Sequence, residues 1–301
     1  MKILITGANG LLGQKLVTLL QNEPSVSIVA TGRGPNRNSD GSYLYERMDI
    51  TEASEVDEII QKHAPDAVIH TAAMTNVDQC EQEQEGCWQQ NVLAVENMVR
   101  ACQKTESFLL HLSTDFIFDG EAGPYDEEDK PNPISYYGES KLAAEKLLVD
   151  SDLDWAIART VLVYGIVQDM SRSNIILWVK KSLEDGKDIK VVNDQLRSPT
   201  LAEDLAMGCW LIVKNKANGI FNIAGKDLLT PYDMACKTAT FFDLQTDTMQ
   251  EADGSIFTQP AKRPPKTGLI IDKARKVLGY EPRSFEEGIA IVSEQVASAT
   301  S

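Results

Sequence analysis

Short, continuously apolar runs alternate along this chain with longer segments whose apolar positions recur every three to four residues. The runs Lys2 to Thr6, Val26 to Thr31, Asp66 to His70, Phe108 to Leu112 and Trp155 to Arg159 are rich in β-branched and aliphatic residues without polar alternation. That pattern predicts parallel strands buried on both faces. Leu12, Leu16, Leu19 and Leu20 mark the first intervening helix. Thr51 is placed as the cap of a second helix carrying Val56, Ile59 and Ile60, and Val92, Val95, Met98 and Val99 mark a third. The alternation predicts an α/β fold with a doubly wound parallel sheet.

After Gly165 the rhythm loosens, and Pro199, Pro231, Pro260, Pro264, Pro265 and Pro282 punctuate shorter helical pieces, one of them from Leu201 to Val213. The expected division is a dinucleotide-binding domain over 1–165 and a smaller lobe, mainly substrate-binding, over 166–301. The second part is free to return strands or helices to the first.

The chain has 301 residues, 43% of them hydrophobic, enough for a sizeable core. A formal net charge of −16 repels a phosphate backbone, so no nucleic-acid partner is expected. No apolar run reaches the length of a membrane span, and Met1 to Thr6 leads straight into glycines, so a cytoplasmic protein is expected. Cys80, Cys87, Cys102, Cys209 and Cys236 are odd in number and lack Cys-x-x-Cys spacing. They are read as buried small hydrophobes, and no metal site is expected. The acidic stretch Asp126 to Asp129 is read as a solvated loop.

Chemistry enters at Thr6-Gly7-Ala8-Asn9-Gly10-Leu11-Leu12-Gly13, which follows the first strand and opens the first helix. Small residues there let backbone N–H groups approach a pyrophosphate, which assigns Gly7, Asn9, Gly10, Leu11, Leu12 and Gly13 to a dinucleotide. The second strand ends in Gly32-Arg33, without the carboxylate that would meet a ribose 2′-hydroxyl. A guanidinium clamps a 2′-phosphate, so Arg33 favours NADP over NAD, with NAD left open. Asp49-Ile50 is placed at the adenine, although Asp49 could equally cap a helix.

Tyr136 and Tyr137 are adjacent, but only Tyr137 has a lysine, Lys141, four residues on and hence on the same helical face. A phenol with a pKa of about 10 needs a neighbouring ammonium to act as acid or base near neutrality. Ser113 and Thr114 follow the strand from Phe108, at the sheet edge where such folds place ligands. A hydroxyl there can polarise a carbonyl. Asn91, inside a helix, either anchors a proton-relaying water or bonds a neighbouring backbone.

These residues resemble the extended short-chain dehydrogenase/reductases, most closely the dTDP-4-dehydrorhamnose reductases. The resemblance rests on Thr6 to Gly13, Thr71-Ala72-Ala73, Ser113 to Gly120, Tyr137-Gly138-Glu139-Ser140-Lys141, Val163-Tyr164-Gly165 and Asp194 to Thr200. It implies a Rossmann fold and NADPH or NADH reducing the keto group of a nucleotide-linked sugar. Tyr137 would protonate the alkoxide, Thr114 would bond the carbonyl, and Lys141 would orient the ribose. Ala72, Ala73 and Thr75 would line the cofactor channel.

Two positions depart from that pattern: Leu162 where a tryptophan is usual, and Arg197 where glycine is usual. Arg197 and Arg263 are placed on a nucleotide diphosphate, with Asn174 beside them in the lobe. Two alternatives stand. An epimerase would keep NAD tightly bound. A non-catalytic role would resemble the NADP-binding regulatory subunit of methionine adenosyltransferase. A homodimer stays open.

Overall fold

The apolar runs become strands of one sheet because both of their faces are covered; Ile3, Leu4, Ile5, Val68, Ile69, Leu109 and Leu110 are all excluded from solvent. The computed structural model describes residues 1–38, 41, 43–168 and 174–299. Its strands are β1 (Lys2–Thr6), β2 (Ser27–Gly32), β3 (Leu44–Arg47), β4 (Ala67–His70), β5 (Phe108–Thr114), β6 (Trp155–Thr160), β7 (Val163–Tyr164), β8 (Ile189–Val192), β9 (Thr200–Leu201), β10 (Gly219–Asn222) and β11 (Met249–Ala252). Its helices are α1 (Leu11–Gln21), α2 (Ala53–His63), α3 (Val77–Gln82), α4 (Gln84–Trp88), α5 (Ala94–Thr105), α6 (Tyr136–Val149), α7 (Ile175–Glu184), α8 (Ala202–Asn215), α9 (Pro231–Phe241), α10 (Asp272–Leu278) and α11 (Phe285–Ala299).

Seven strands form the main sheet in the order β10-β6-β5-β4-β1-β2-β3, and every pair is parallel. The direction of winding reverses at β1, which opens a crevice at the carboxyl ends of β1 and β4. On one face Leu16 and Leu20 of α1 share a core with Leu205 and Cys209 of α8 and Ala274 of α10. On the other, Val56 and Ile60 of α2, Val95 and Met98 of α5, and Ala144 and Leu148 of α6 pack together. Both faces are therefore wound with helices.

The second half supplies β10, α8 and α10 to this layered unit, so the chain crosses back after Gly165. The remaining lobe gathers Ile176 of α7, Met234 of α9, and Phe285 and Ile289 of α11 around Tyr164. The parallel pair β8–β11 flanks it.

Two local expectations are corrected. Thr51 does not cap α2: the N-cap residue is Glu52, without a side-chain bond, and the Thr51 hydroxyl donates to Asp49 Oδ1 at 2.8 Å. All five cysteines are free, but Cys236 is only half-buried, unlike the other four. None of the described helices is long and apolar enough to cross a membrane. Among the described residues, no group of three or more His, Cys, Asp or Glu side chains could hold a metal ion.

Candidate active site

The glycine turn links β1 to α1. Gly7 has φ +67°, and a Cβ there would lie 2.8 Å from Thr71 Oγ1 and 2.9 Å from the Ala72 nitrogen. At Gly13 a Cβ would lie 2.3 Å from the Gly7 oxygen. Only glycine permits this close crossing of β1, α1 and the end of β4. No side chain caps α1 and no carboxylate occupies its first turn, so the positive end of its dipole faces outward beside exposed Gly10. A pyrophosphate fits such a turn without displacing a protein group. Leu11 and Leu12 are half-buried at its rim, as are Ala72 and Ala73 across the crevice, and Thr75 beyond them is exposed.

Asn9 shapes the neighbouring loop. Its amide donates to the Pro35 carbonyl at 3.0 Å and to the Tyr45 hydroxyl at 2.8 Å, and its Oδ1 accepts from the Arg37 nitrogen at 2.9 Å. Arg33 is exposed at the end of β2, and its carbonyl accepts from Arg47 Nε at 3.1 Å. The backbone of Arg33 and of Arg37 and the side chain of Arg47 thus lie in the loops beside the turn. Only Arg33 stood out in the sequence, because Arg37 and Arg47 reach this place through loop and edge-strand pairing. Asp49 has one carboxylate oxygen engaged by the Thr51 nitrogen and hydroxyl at 3.0 and 2.8 Å. Ile50 is buried beneath it.

At the other side of the crevice, Ser135 caps α6 by accepting from the Gly138 nitrogen. This starts the helix so that Tyr137, Lys141 and Glu145 lie on one buried face. Tyr137 packs edge-on against Phe116, with ring centroids 5.8 Å apart. Burial pushes the Tyr137 phenol well above its ordinary range, with the Thr114 hydroxyl opposing it, so the group stays protonated. Lys141 is pulled down to about 8 by burial, which Glu145 partly opposes. Its ammonium donates to the Leu112 carbonyl at 2.6 Å and to His111 Nε2 at 3.0 Å.

The Thr114 hydroxyl donates to Asp115 Oδ1 at 3.1 Å, and Asp115 Oδ2 accepts from Thr267 of the second half. Burial raises Asp115, and the Arg197 guanidinium is the largest opposing influence. Asp115 belongs to the Ser113 to Gly120 segment, but its partner Thr267 lies 152 positions away and outside every motif of the sequence. Asn91 sits in a turn of π-helix. It bonds the Met74 nitrogen at 2.8 Å, the Met74 carbonyl at 3.1 Å and the Ser140 hydroxyl at 3.0 Å. Its amide is thus committed to neighbouring protein groups.

Residues 261–270 form a strap between the lobe and the end of β5. Arg197 lies beneath it, almost wholly buried. Its terminal nitrogens donate to the carbonyls of Leu196, Pro264 and Pro265 and to Gln195 Oε1, at 2.7–3.2 Å. The sequence placed Arg197 on a diphosphate; here both of those nitrogens are engaged by the strap. Arg263 forms a bidentate pair with Asp78 of α3, both bonds at 2.7 Å. It also lines a cleft of about 400 Å³ with Asn174, Trp178, Lys190, Gln195 and Gln259. Asn174 caps α7 there, accepting from the Leu177 nitrogen at 3.0 Å and donating to the Gly165 carbonyl at 2.9 Å. The cleft belongs to the lobe and does not cover Tyr137; Arg263 and Asp78 tie its edge to α3.

A doubly wound parallel sheet with a glycine turn at its switch point defines a nucleotide-binding Rossmann protein. The chain belongs to the RmlD substrate binding domain family, whose model matches residues 1–298. It is 31% identical over 288 residues to a probable low-salt glycan biosynthesis reductase, Agl14, of Haloferax volcanii, covering 95% of each chain. It is 30% identical to the methionine adenosyltransferase 2 subunit beta of Bos taurus, covering 96% of this chain and 86% of that one. A crystal structure of dTDP-4-dehydrorhamnose reductase from Bacillus anthracis in complex with NADP superposes with a TM-score of 0.83 at 26% identity, covering 98% and 99% of the two chains.

Proposed function

We propose that the protein is an NADP-dependent oxidoreductase that reduces a keto group on a nucleotide-linked sugar. The observation that carries this reading is the convergence of a protonated Tyr137, Thr114 and Lys141 at the edge of a crevice whose other wall is the glycine turn. Bound NADPH supplies a hydride to the carbonyl carbon. Tyr137 gives its phenolic proton to the carbonyl oxygen, and Thr114 turns its hydroxyl from Asp115 to the same oxygen. Lys141 holds two acceptors on β5 and keeps one N–H for the cofactor ribose. The kinship with the Haloferax reductase and the NADP-bound rhamnose reductase supports the reaction class.

In the lobe, Lys190 provides a cation for a diphosphate, Arg263 offers Nε and one terminal N–H that its pair with Asp78 leaves unused among the described residues, and Trp178 provides an exposed ring for a base. Arg197 serves the strap instead, and Asn174 contributes as the cap that shapes the cleft. Arg263→Ala is therefore expected to raise KM with little change in kcat, since the contact serves ground and transition states alike. Arg197→Ala is expected to lower stability, because it strips the Pro264 carbonyl of its donor and leaves the Pro265 carbonyl with the Leu196 nitrogen alone. Steady-state kinetics and urea unfolding of both variants check this; a KM effect confined to Arg197→Ala would reverse the assignment.

NADPH is expected to bind more tightly than NADH. Arg33→Ala should cost about 1–3 kcal/mol of NADPH affinity and leave NADH nearly unchanged, as a charge-assisted bond to phosphate predicts. Equal dissociation constants for the two cofactors would remove this assignment. A second reading is favoured by the identity to the methionine adenosyltransferase subunit: the chain binds NADP and acts through a partner protein. NADPH absorbance followed over a panel of purified nucleotide keto sugars separates the two, since a binding module oxidises no cofactor on any of them.

A further inference from the structure

Thr6, His70 and His111 stand in register across β1, β4 and β5, and Lys141 closes the row from α6. All four side chains are buried. His70 Nδ1 and His111 Nε2 have partners, while His70 Nε2 and His111 Nδ1 have none among the described residues; the bonds that are made fix where the protons lie. Thr6 Oγ1 accepts from the Thr71 and Ala72 nitrogens at 3.2 and 3.3 Å, so it donates its own proton to His70 Nδ1, 2.8 Å away. His70 therefore carries its hydrogen on Nε2. His111 Nε2 receives the Lys141 ammonium, so its hydrogen sits on Nδ1. The two rings stack with centroids 5.6 Å apart and planes inclined by 23°.

We infer that His111 is a positioning residue for Lys141: its neutral imidazole, stacked on His70 and tied through it to the glycine turn, accepts one ammonium N–H and aims the remaining one at the crevice. This rests on the proposed role of Lys141 towards a cofactor ribose. The Leu112 carbonyl alone would hold the ammonium at one point and leave it free to swing about that bond. Two acceptors from consecutive residues of one rigid strand fix its direction. Neutrality of the pair is built in, because burial first, and the Lys141 charge next, hold His70 at about 3 and His111 well below the ordinary imidazole range. The acceptor is therefore present at every pH at which the ammonium exists in a folded chain near neutrality.

The other groups acting on Lys141 are Glu145 on its own helix, Cys87 on α4 and Cys80 on α3, and Tyr137 stands one turn before it on α6. Arg159 of β6 neutralises Glu145. Burial lowers Lys141 to about 8, and a hydrogen-bond acceptor at His111 favours the charged form. Removing that acceptor must lower the midpoint further, so the lysine loses its proton at a lower pH.

The test uses the whole chain labelled with ¹⁵N in lysine and histidine, without cofactor, and Lys141→Met to assign the lysine signal. The expected result is a Lys141 midpoint near 8 in the wild type, about one pH unit lower in His111→Leu, a tenfold change in the proton equilibrium. His111→Gln, whose carbonyl oxygen can accept in the same place, should recover most of it. A midpoint unchanged in His111→Leu overturns the inference. Should that variant not fold, the wild-type imidazole spectrum decides, because an Nε2–H tautomer at His111 is incompatible with the proposed bond. NADPH binding against pH should weaken about one unit earlier in His111→Leu. Failure of the wild type to bind NADPH at all would instead overturn the cofactor reading and leave the two NMR readouts standing.

Discussion

Tyr137→Phe is expected to lower turnover by about 10²–10⁴-fold, the usual contribution of a positioned general acid, while NADPH binding stays close to that of the wild type. The substitution deletes one oxygen and keeps the ring, which lies edge-on against Phe116 in a cluster with Cys80 and Cys87. Packing is therefore preserved and the loss reports proton transfer. Burial favours the protonated phenol, which is the form that the proposed reduction of a ketone requires. Tyr136→Phe is the matched control. That side chain sits on the next helical position, half-buried beside Trp88, and its loss should change turnover little. Near-normal activity in Tyr137→Phe, or a loss confined to Tyr136→Phe, would assign the proton to another group.

Glu145→Ala should destabilise the fold by about 3–5 kcal/mol, the cost of leaving one member of a buried ion pair alone. Glu145 and Arg159 are both almost wholly buried and joined by two bonds, at 3.0 and 2.8 Å. Without the carboxylate, the Arg159 guanidinium keeps, among the described residues, the Glu127 carbonyl and the face of Phe118. Replacing both partners by methionine should cost much less than either single change, because no uncompensated charge is left behind. Urea unfolding of the two singles and the double measures this directly; additive losses would show that the pair is not coupled. Glu145→Ala also removes the charge that holds Lys141 up, so its Lys141 midpoint should fall below about 8.

The legible parts of the sequence are those whose meaning is local. β1 and α1 could be read because a strand, a glycine turn and a helix follow one another within twenty residues, each with its own period. The spacing from Tyr137 to Lys141 likewise needs only helical geometry, and both side chains lie buried on one face of α6. β3 carries no apolar run because Leu44–Arg47 is a polar edge strand with no buried residue to set a pattern. β10 was missed because four residues that begin with glycine carry too little signal, and their partners in β6 lie 63 residues earlier.

Arg197 shows how a residue's meaning can turn on its surroundings. In the sequence a cation in a strongly acidic chain points to an anionic ligand. In the fold its nitrogens meet the backward-facing carbonyls of Pro264 and Pro265, residues whose proximity to it no local pattern encodes. The His70–His111 pair was invisible for a similar reason. Each histidine ends or interrupts an apolar strand, and only the parallel register of β4 and β5 stacks them.

From the amino-acid order alone come the strand–helix alternation, the glycine turn, and the pairing of Tyr137 with Lys141 on one helical face, because hydrophobic period, backbone freedom and helical spacing act over a few residues. The tertiary structure alone decided which cations are open to a ligand and which are clamped, where the protons of the buried row lie, and how the second half returns α8, α10 and β10 to the first. Those outcomes depend on contacts between residues tens to hundreds of positions apart, where burial and partner geometry, and not residue type, set charge state and availability.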